Sequence, residues 1–487
     1  MSDKKRVFSA GRWTVLSALI RSGLQILQLT ILARLLSPAD FGLMAVTGSI
    51  LAIVILFSDL GLSRAIIHFE HLTENTLSSL YWLNLLMGLL LSLLLAVTAP
   101  LLGAVFKLEG LTTILLCISP SFLLMAFGQQ YCALAEKKLN FIVLSIKETI
   151  AAVCGFIVAV IIALNHGGVY ALVAGMLVNI STNSLLAWLR LSKDYPLHWH
   201  LNIKETLPFL RYGAYIVGES LLNTVQRQSD IFVASFFASP ALLGLYSMPR
   251  DFCLKLGMTI NPIITRIGFP LMSRHQQDAV ALKSIYLQTL RMTSSLNFPL
   301  YFVLGGGAQE LVLLLFGAQW KDAVIYMQLL AIWGALRSVG NPVGSLLHAV
   351  GAVKRAFLWN AYMLFLLPMS YWLAAYCHGL VGLSLTLVLT HIVLLPLMWC
   401  FLVKPLCYVG LVEYLAQIAT PFILSVISGL IAWLVVIDVS HSLLRLLSGG
   451  FTFGCSYLLL SRFFNPTWFN AVLLLLKGFL IKDRQDF

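Results

Sequence analysis

The chain is poor in charge. Asp, Glu, Lys and Arg together make up 11% of its 487 residues, against about 25% in a soluble domain. The apolar class reaches 59%, and a water-soluble fold of this length has no interior large enough to hide it. Acidic residues are the scarcer sign, 20 against 32 Lys and Arg, for a net charge of +12. Those cations stand in short blocks between apolar runs, not in a solvated patch with reading elements, which excludes nucleic acid as the partner. The eight cysteines form no Cys-x-x-Cys pair. Cys117, Cys132, Cys154, Cys253, Cys400 and Cys455 lie inside apolar stretches as small hydrophobes, so neither a disulfide framework nor a metal cluster is expected. His68/His71 and His198/His200 lack companion ligands, and no metal or cofactor is expected. A small-residue cleavage site is missing after the basic start Met1-Ser2-Asp3-Lys4-Lys5-Arg6, so the first apolar run reads as a span and not as a removable leader.

What is present is a series of long apolar runs. A helix needs roughly 20 such residues to cross ~30 Å of hydrocarbon. Runs of that kind lie near 13–36, 42–60, 79–105, 111–131, 146–164, 168–190, 209–237, 243–265, 293–316, 323–349, 356–377, 379–403, 416–437 and 443–461. They are continuous and not alternating, which excludes a β-barrel. The expected class is an all-α polytopic membrane protein with about fourteen transmembrane helices. Cations test the order of the loops. Lys4, Lys5, Arg6, Lys137, Lys138, Lys193, Lys204, Arg274, Lys283, Lys354 and Arg355 fall on one side, and Lys107, Lys321 and Arg445 on the other. The excess places both termini in the cytoplasm. Outer connections such as Asn165-His166-Gly167-Gly168 are too short for any outer domain. The stretch 466–487 reads as an interfacial helix and tail on the inner surface.

An internal repeat runs through the chain. Ser37-Pro38-Ala39-Asp40-Phe41-Gly42-Leu43 returns 202 residues later as Ser239-Pro240-Ala241-Leu242-Leu243-Gly244-Leu245, with Gly11 matching Gly213 and Trp13 matching Tyr215. Six spans separate the copies, an even number that preserves orientation. The expected organisation is two parallel six-helix pseudo-repeats, an N-lobe over 1–205 and a C-lobe over 206–405, followed by two helices over 406–465 and the tail 466–487. Transporters that rock two halves about a midplane site are built this way.

Polar residues inside the spans mark the candidate site. Thr14, Ser17, Arg21, Gln25 and Gln28 recur at helical spacing in the first span, and Glu219, Asn223, Arg227 and Asp230 in the seventh. Each set forms one wet stripe, and the repeat offset superposes Arg21 on Asn223, Gln25 on Arg227 and Gln28 on Asp230. Two such faces are expected to line a hydrophilic cavity. Arg250, Asp251 and Lys255 in the eighth span and Arg337 in the tenth add further charge. A charge in mid-bilayer costs about 2.5–3.5 kcal/mol on insertion scales, so a partner or a wet cavity must accompany each. The cations outnumber Glu219, Asp230 and Asp251. Arg21, Arg227, Arg250, Lys255 and Arg337 are therefore the expected contacts of an anionic substrate, guanidinium groups matching phosphate oxygens in bidentate fashion. The three acids are candidates for ion coupling or simple pairing. Pro249, Pro262, Gly340 and Pro342 are hinge candidates.

Leu32-Ala33-Arg34-Leu35-Leu36-Ser37-Pro38 with Asp40-Phe41-Gly42, and Ser58-Asp59-Leu60-Gly61-Leu62, resemble the Wzx-type polysaccharide repeat-unit flippases. That family shares a superfamily with the drug-extruding MATE transporters. Asn261-Pro262-Ile263-Ile264-Thr265-Arg266 and Leu336-Arg337-Ser338-Val339-Gly340-Asn341-Pro342 resemble its colanic acid exporter branch. The resemblance spans nearly the whole chain. It implies a bacterial inner-membrane protein, not an enzyme, that moves an undecaprenyl-diphosphate-linked oligosaccharide to the periplasmic leaflet. Membrane lipids, polymerase and export proteins are the partners it implies. Arg337 and Asp230 match the family pattern, whereas Arg21 rests on the stripe alone. A MATE-like antiporter of cationic drugs is the alternative, disfavoured by the cation excess. A membrane polysaccharide polymerase or ligase would need a substantial outer loop.

Overall fold

The computed structural model describes residues 23–69, 72–195 and 197–482. Among these the regular structure is helical throughout. The chain divides into two compact units, Met1–Gly244 and Leu245–Phe487.

The first unit holds α1 (Gly23–Leu35) and the helices α2 (Pro38–Ser58), α3 (Leu62–His68), α4 (Glu74–Phe106), α5 (Leu111–Ile118), α6 (Ser121–Lys137), α7 (Phe141–Leu164), α8 (Val169–Leu191) and α9 (Ile203–Phe237). α2 starts where its sequence says it should. Pro38 occupies the first turn, and Ser37 and Asp40 cap it reciprocally, with the Ser37 N–H donating to the Asp40 carboxylate at 2.9 Å. The repeat copy begins in a related way, the Leu242 N–H donating to the Ser239 hydroxyl at 3.4 Å.

Helix contact within this unit depends on small residues, which let backbones approach where water supplies no driving force. A Cβ on Gly42 would strike the Pro240 carbonyl, and a Cβ on Gly244 would strike the Pro38 carbonyl. The two repeated turns thus rest on each other through equivalent positions. Gly61, at φ +71°, sits against the Gly213 backbone in the same manner. Gly155 of α7 approaches Gly175 and Asn179 of α8, and Gly128 of α6 approaches Ser184.

The second unit holds α10 (Pro240–Arg274, whose first turn belongs to the first unit), α11 (Ala279–Gly306), α12 (Ala308–Leu315), α13 (Val324–Ser338), α14 (Asn341–Ala349), α15 (Val353–Met398), α16 (Lys404–Cys407), α17 (Leu411–Val436), α18 (Ser442–Phe464) and α19 (Pro466–Lys482). α11 is its hub, packed on α13, α17 and α18. It buries a polar row of Thr293, Ser294, Ser295 and Asn297. Tyr457 of α18 donates its hydroxyl to the Ser295 carbonyl at 2.8 Å. Stacked and edge-on rings, Phe302–Phe453 at 5.9 Å and Tyr457–Trp468 at 5.4 Å, continue this seam to α19.

Apolar side chains face outward along the long helices. Leu86, Leu90, Leu93, Val97 and Leu101 of α4 and Tyr362, Phe365, Met369 and Leu373 of α15 are all exposed. Surfaces of that extent are stable only against hydrocarbon. Nine helices among the described residues are long and apolar enough to cross a membrane, or ten if α11 and α12, bent by 70°, count as one. That count falls short of fourteen for identifiable reasons. The start of the first run lies outside the described residues, and α9 and α10 carry too much polar sequence to pass an apolar test. The continuous segment Val353–Cys407 is 55 residues long, about twice what ~30 Å of hydrocarbon requires. It breaks at Gly379, where φ is 62° and ψ −155°.

Candidate functional site

Arg21 lies outside the described residues. Its neighbours on the first stripe diverge: Gln25 of α1 is exposed, whereas Gln28 is partly buried. Gln28 lines a recess of about 280 Å³ with Asn179, Phe156, Met176 and the close glycines Gly155 and Gly175. The second stripe runs along α9 at steps of four, four and three residues, so Glu219, Asn223, Arg227 and Asp230 share one side of that helix. Along it the environment changes. Asn223 and Arg227 are exposed and Asp230 is 3% exposed. The helix packs on α2, α3 and α4, α3 meeting its start at Phe209 and Gly213 and α4 meeting its end through Phe106 against Phe232 and Phe236.

The same unit holds a buried cation that the sequence reading passed over. Lys147 of α7 is 4% exposed, and its ammonium donates to the Asn183 side-chain oxygen of α8 at 2.8 Å. Lys147 stands beside Glu148 at the start of an apolar run, and a charge at that position reads as a boundary. Only the spacing of Asn179 and Asn183, one helical turn apart on α8, marks a polar face there. Between α2 and α3, outside the spans, burial pushes the Asp59 carboxyl up to about 6, against the opposing bonds from Ser63. The Ser63 hydroxyl donates to Asp59 at 2.6 Å and the Ser63 N–H at 3.1 Å.

In the second unit, Arg250 of α10 is 3% exposed and donates to the Asp251 carboxylate at 3.1 Å. A charge at that depth is tolerated because an ion pair accompanies it. Asp251 and Lys255 are exposed on the same helix. The helix continues through Pro249, Pro262 and Pro270, each of which removes one backbone donor. Arg337, in the last turn of α13, places its guanidinium 5.2 Å from the centre of the Trp333 ring, one turn earlier. A cation over an indole is held by about 0.5–2 kcal/mol, more as it is desolvated, and Arg337 is partly buried. Trp333 also meets His391 of α15 edge-on at 5.9 Å, and His391 Nδ1 donates to the Leu387 carbonyl at 2.9 Å. The sequence reading had no reason to connect His391 with Arg337. The helix breaks just after Arg337: α13 ends at Ser338, Gly340 caps α14, and Pro342 sits in its first turn. Gly340 and Pro342 therefore stand at a real discontinuity, whereas Pro249 and Pro262 lie within a continuous helix.

Asn223, Arg227 and Asp230 share α9, Arg250 and Asp251 are paired, and Arg337 stands with Trp333. Among the described residues no cluster of His, Cys, Asp and Glu suits a metal ion. A further recess of about 490 Å³ lies in the second unit, where Arg445 of α18 meets Glu310 of α12 at 3.4 Å beside Trp433 and Gln328.

Comparison with known proteins agrees with this architecture. Residues 31–325 match the family model described as polysaccharide biosynthesis protein. The lipopolysaccharide biosynthesis protein WzxC of Escherichia coli (strain K12) is 30% identical over 425 residues, 87% of this chain and 86% of the relative. The teichuronic acid biosynthesis protein TuaB of Bacillus subtilis (strain 168) is 27% identical, covering 90% of this chain and 91% of the relative. Among solved structures, the lipid II flippase MurJ in an inward closed conformation superposes with a TM-score of 0.72 at 13% identity, over 92% of this chain and 98% of that one. An inward-facing MATE multidrug transporter superposes at 0.62 and 12% identity, over 82% and 95%. These two likenesses fix the fold. The resemblance read from the Ser-Pro turn and the Asn-Pro stretches holds: the chain is a multi-pass membrane protein of the polysaccharide biosynthesis family.

Proposed function

We propose that the chain translocates an undecaprenyl-diphosphate-linked oligosaccharide repeat unit from the cytoplasmic to the periplasmic leaflet of the bacterial inner membrane. Membership of the polysaccharide biosynthesis family carries this reading, with relatives named for lipopolysaccharide and teichuronic acid biosynthesis. The fold of a lipid II flippase supports it. So does the chemistry of the membrane-embedded residues, since a diphosphate brings two or more negative charges to Arg227, Arg250, Lys255 and Arg337. The lobes 1–205 and 206–405 alternate their access to the two sides, and Glu219, Asp230 and Asp251 couple an ion to the cycle or pair with the cations. The step is transport without bond making or breaking. A drug antiporter shares the fold, but a cation-rich lining repels cationic drugs.

The test is complementation of a strain lacking its own repeat-unit flippase, read as surface polysaccharide. The unaltered chain should restore polymer. Arg337→Ala should reduce export about tenfold or more at normal membrane abundance, since one charge-assisted bond is worth about 1.5–3 kcal/mol. Arg337→Lys should recover part of it, because an ammonium keeps the charge and loses the fork. Full export by Arg337→Ala and Arg227→Ala at normal abundance would remove these residues from the substrate path.

A further inference from the structure

α11, α17 and the start of α19 enclose a recess of about 240 Å³ at the cation-rich end of the second unit, the end that the charge distribution assigns to the cytoplasm. Its lining is polar, with Ser284, Gln288, Arg291, Gln417 and Thr467, and the apolar side chains of Leu287 and Met292 complete it.

Arg291 is held in place unusually firmly. Its Nε donates to the Asn465 side-chain oxygen at 2.7 Å and an Nη donates to the Phe464 carbonyl at 3.1 Å. Asn465 is itself fully buried and donates to the Ser295 hydroxyl at 2.7 Å. Both acceptors of Arg291 are neutral, and among the described residues no carboxylate pairs with it. Its charge is thus fixed in orientation and uncompensated by these bonds. The nearest acid of α17, Glu413, is already engaged by Lys283 at 2.7 Å. A preorganised guanidinium ringed by amide and hydroxyl groups is a receptor for phosphate oxygens. An apolar side to the same recess suits the beginning of an acyl chain, and basic pockets between helices at the cytoplasmic surface take lipid head groups.

We propose that this recess binds the phosphodiester head of one anionic glycerophospholipid of the inner leaflet, which ties α11, α17 and α19 together. The proposal stands apart from the transport reading, and its test uses no export measurement.

The full chain is reconstituted into nanodiscs of phosphatidylcholine alone or with added phosphatidylglycerol, and both thermal unfolding and the lipid retained in native mass spectrometry are read. The wild-type chain should retain phosphatidylglycerol in preference to phosphatidylcholine and unfold at a higher temperature when it is present. The variant Gln288→Glu/Gln417→Glu sets two carboxylates into the recess and leaves the Arg291–Asn465 bond intact. It should retain about fivefold less phosphatidylglycerol, the equivalent of about 1 kcal/mol for one cation at the membrane surface. Its unfolding in phosphatidylcholine alone should match the wild type. Potassium phosphate added to phosphatidylcholine discs should not reproduce the stabilisation. Equal retention by both chains overturns the proposal, and an equal response to free phosphate overturns the lipid as its occupant. Should the double variant not accumulate, Thr467→Asp carries the same expectations and the same refutation.

Discussion

The buried pair Lys147–Asn183 makes a sharp prediction about sign. Replacing Asn183 by Leu leaves a 4%-exposed ammonium without the acceptor it has at 2.8 Å. Breaking one side of a buried charged interaction costs about 3–5 kcal/mol. Replacing Lys147 by Met instead leaves a neutral amide that has lost its donor, at about 1–3 kcal/mol. The double variant Lys147→Met/Asn183→Leu removes both partners of that bond at similar volume. It should return to within about 1 kcal/mol of the starting protein, so the two changes must be strongly non-additive. For a unit the size of Met1–Gly244, the usual unfolding entropy per residue converts 1 kcal/mol into about 2 °C. Thermal unfolding in a fixed detergent should thus fall by about 6–10 °C for Asn183→Leu and about 2–6 °C for Lys147→Met. The double variant should lie within about 2 °C of the parent. A double variant as unstable as the sum of its parts would refute the pairing as the reason Lys147 is tolerated at that depth.

Two further expectations concern the junctions of the first unit. Gly42→Ala and Gly244→Ala each drive a methyl into the opposite turn's carbonyl and should destabilise by about 1–3 kcal/mol, as overpacking does. Gly48→Ala, on the same helix with nothing within 4 Å of its Cβ position, should be neutral or stabilise by about 0.4–1 kcal/mol; unfolding temperatures of the three variants check the contrast. Asp59 gives a pH dependence. Its folded pKa, about 6, stands above the ordinary carboxylate value of 3.8, so the folded state binds the proton more tightly. Its contribution to stability is complete below about 3.8 and is lost as pH rises through about 6. Asp59→Asn should flatten the unfolding temperature across that window, and an unchanged profile would assign the pH response to other groups.

Much of this protein was legible without coordinates because hydropathy is a local property. The membrane class, the capped Ser37-Pro38 turn, its copy at Ser239-Pro240 and the family resemblance all follow from residues adjacent in the chain. The polar stripe of α9 was also legible, since helical spacing fixes which residues share a side. Its depth was not: Asp230 is buried and Arg227 exposed, a difference set by the helices packed on α9 and not by spacing along it. Span counting ran into the same limit at α9 and α10, whose polar residues keep them from passing an apolar test. Those helices look too wet to cross a membrane when judged by composition alone.

Tertiary structure alone decided which charges have partners. Lys147 finds Asn183 at 36 residues' separation, and Arg291 finds Asn465 at 174. No periodicity in one segment specifies the side chain that will stand opposite it on another helix. Arg250 and Asp251 could be paired from their adjacency, and Arg337 with Trp333 from their i, i+4 spacing, whereas His391 joins them only because α13 packs on α15. The chain's scarcity of charge made each charged residue conspicuous in the sequence. Packing then determined which ones are ion-paired and which are held by neutral amides.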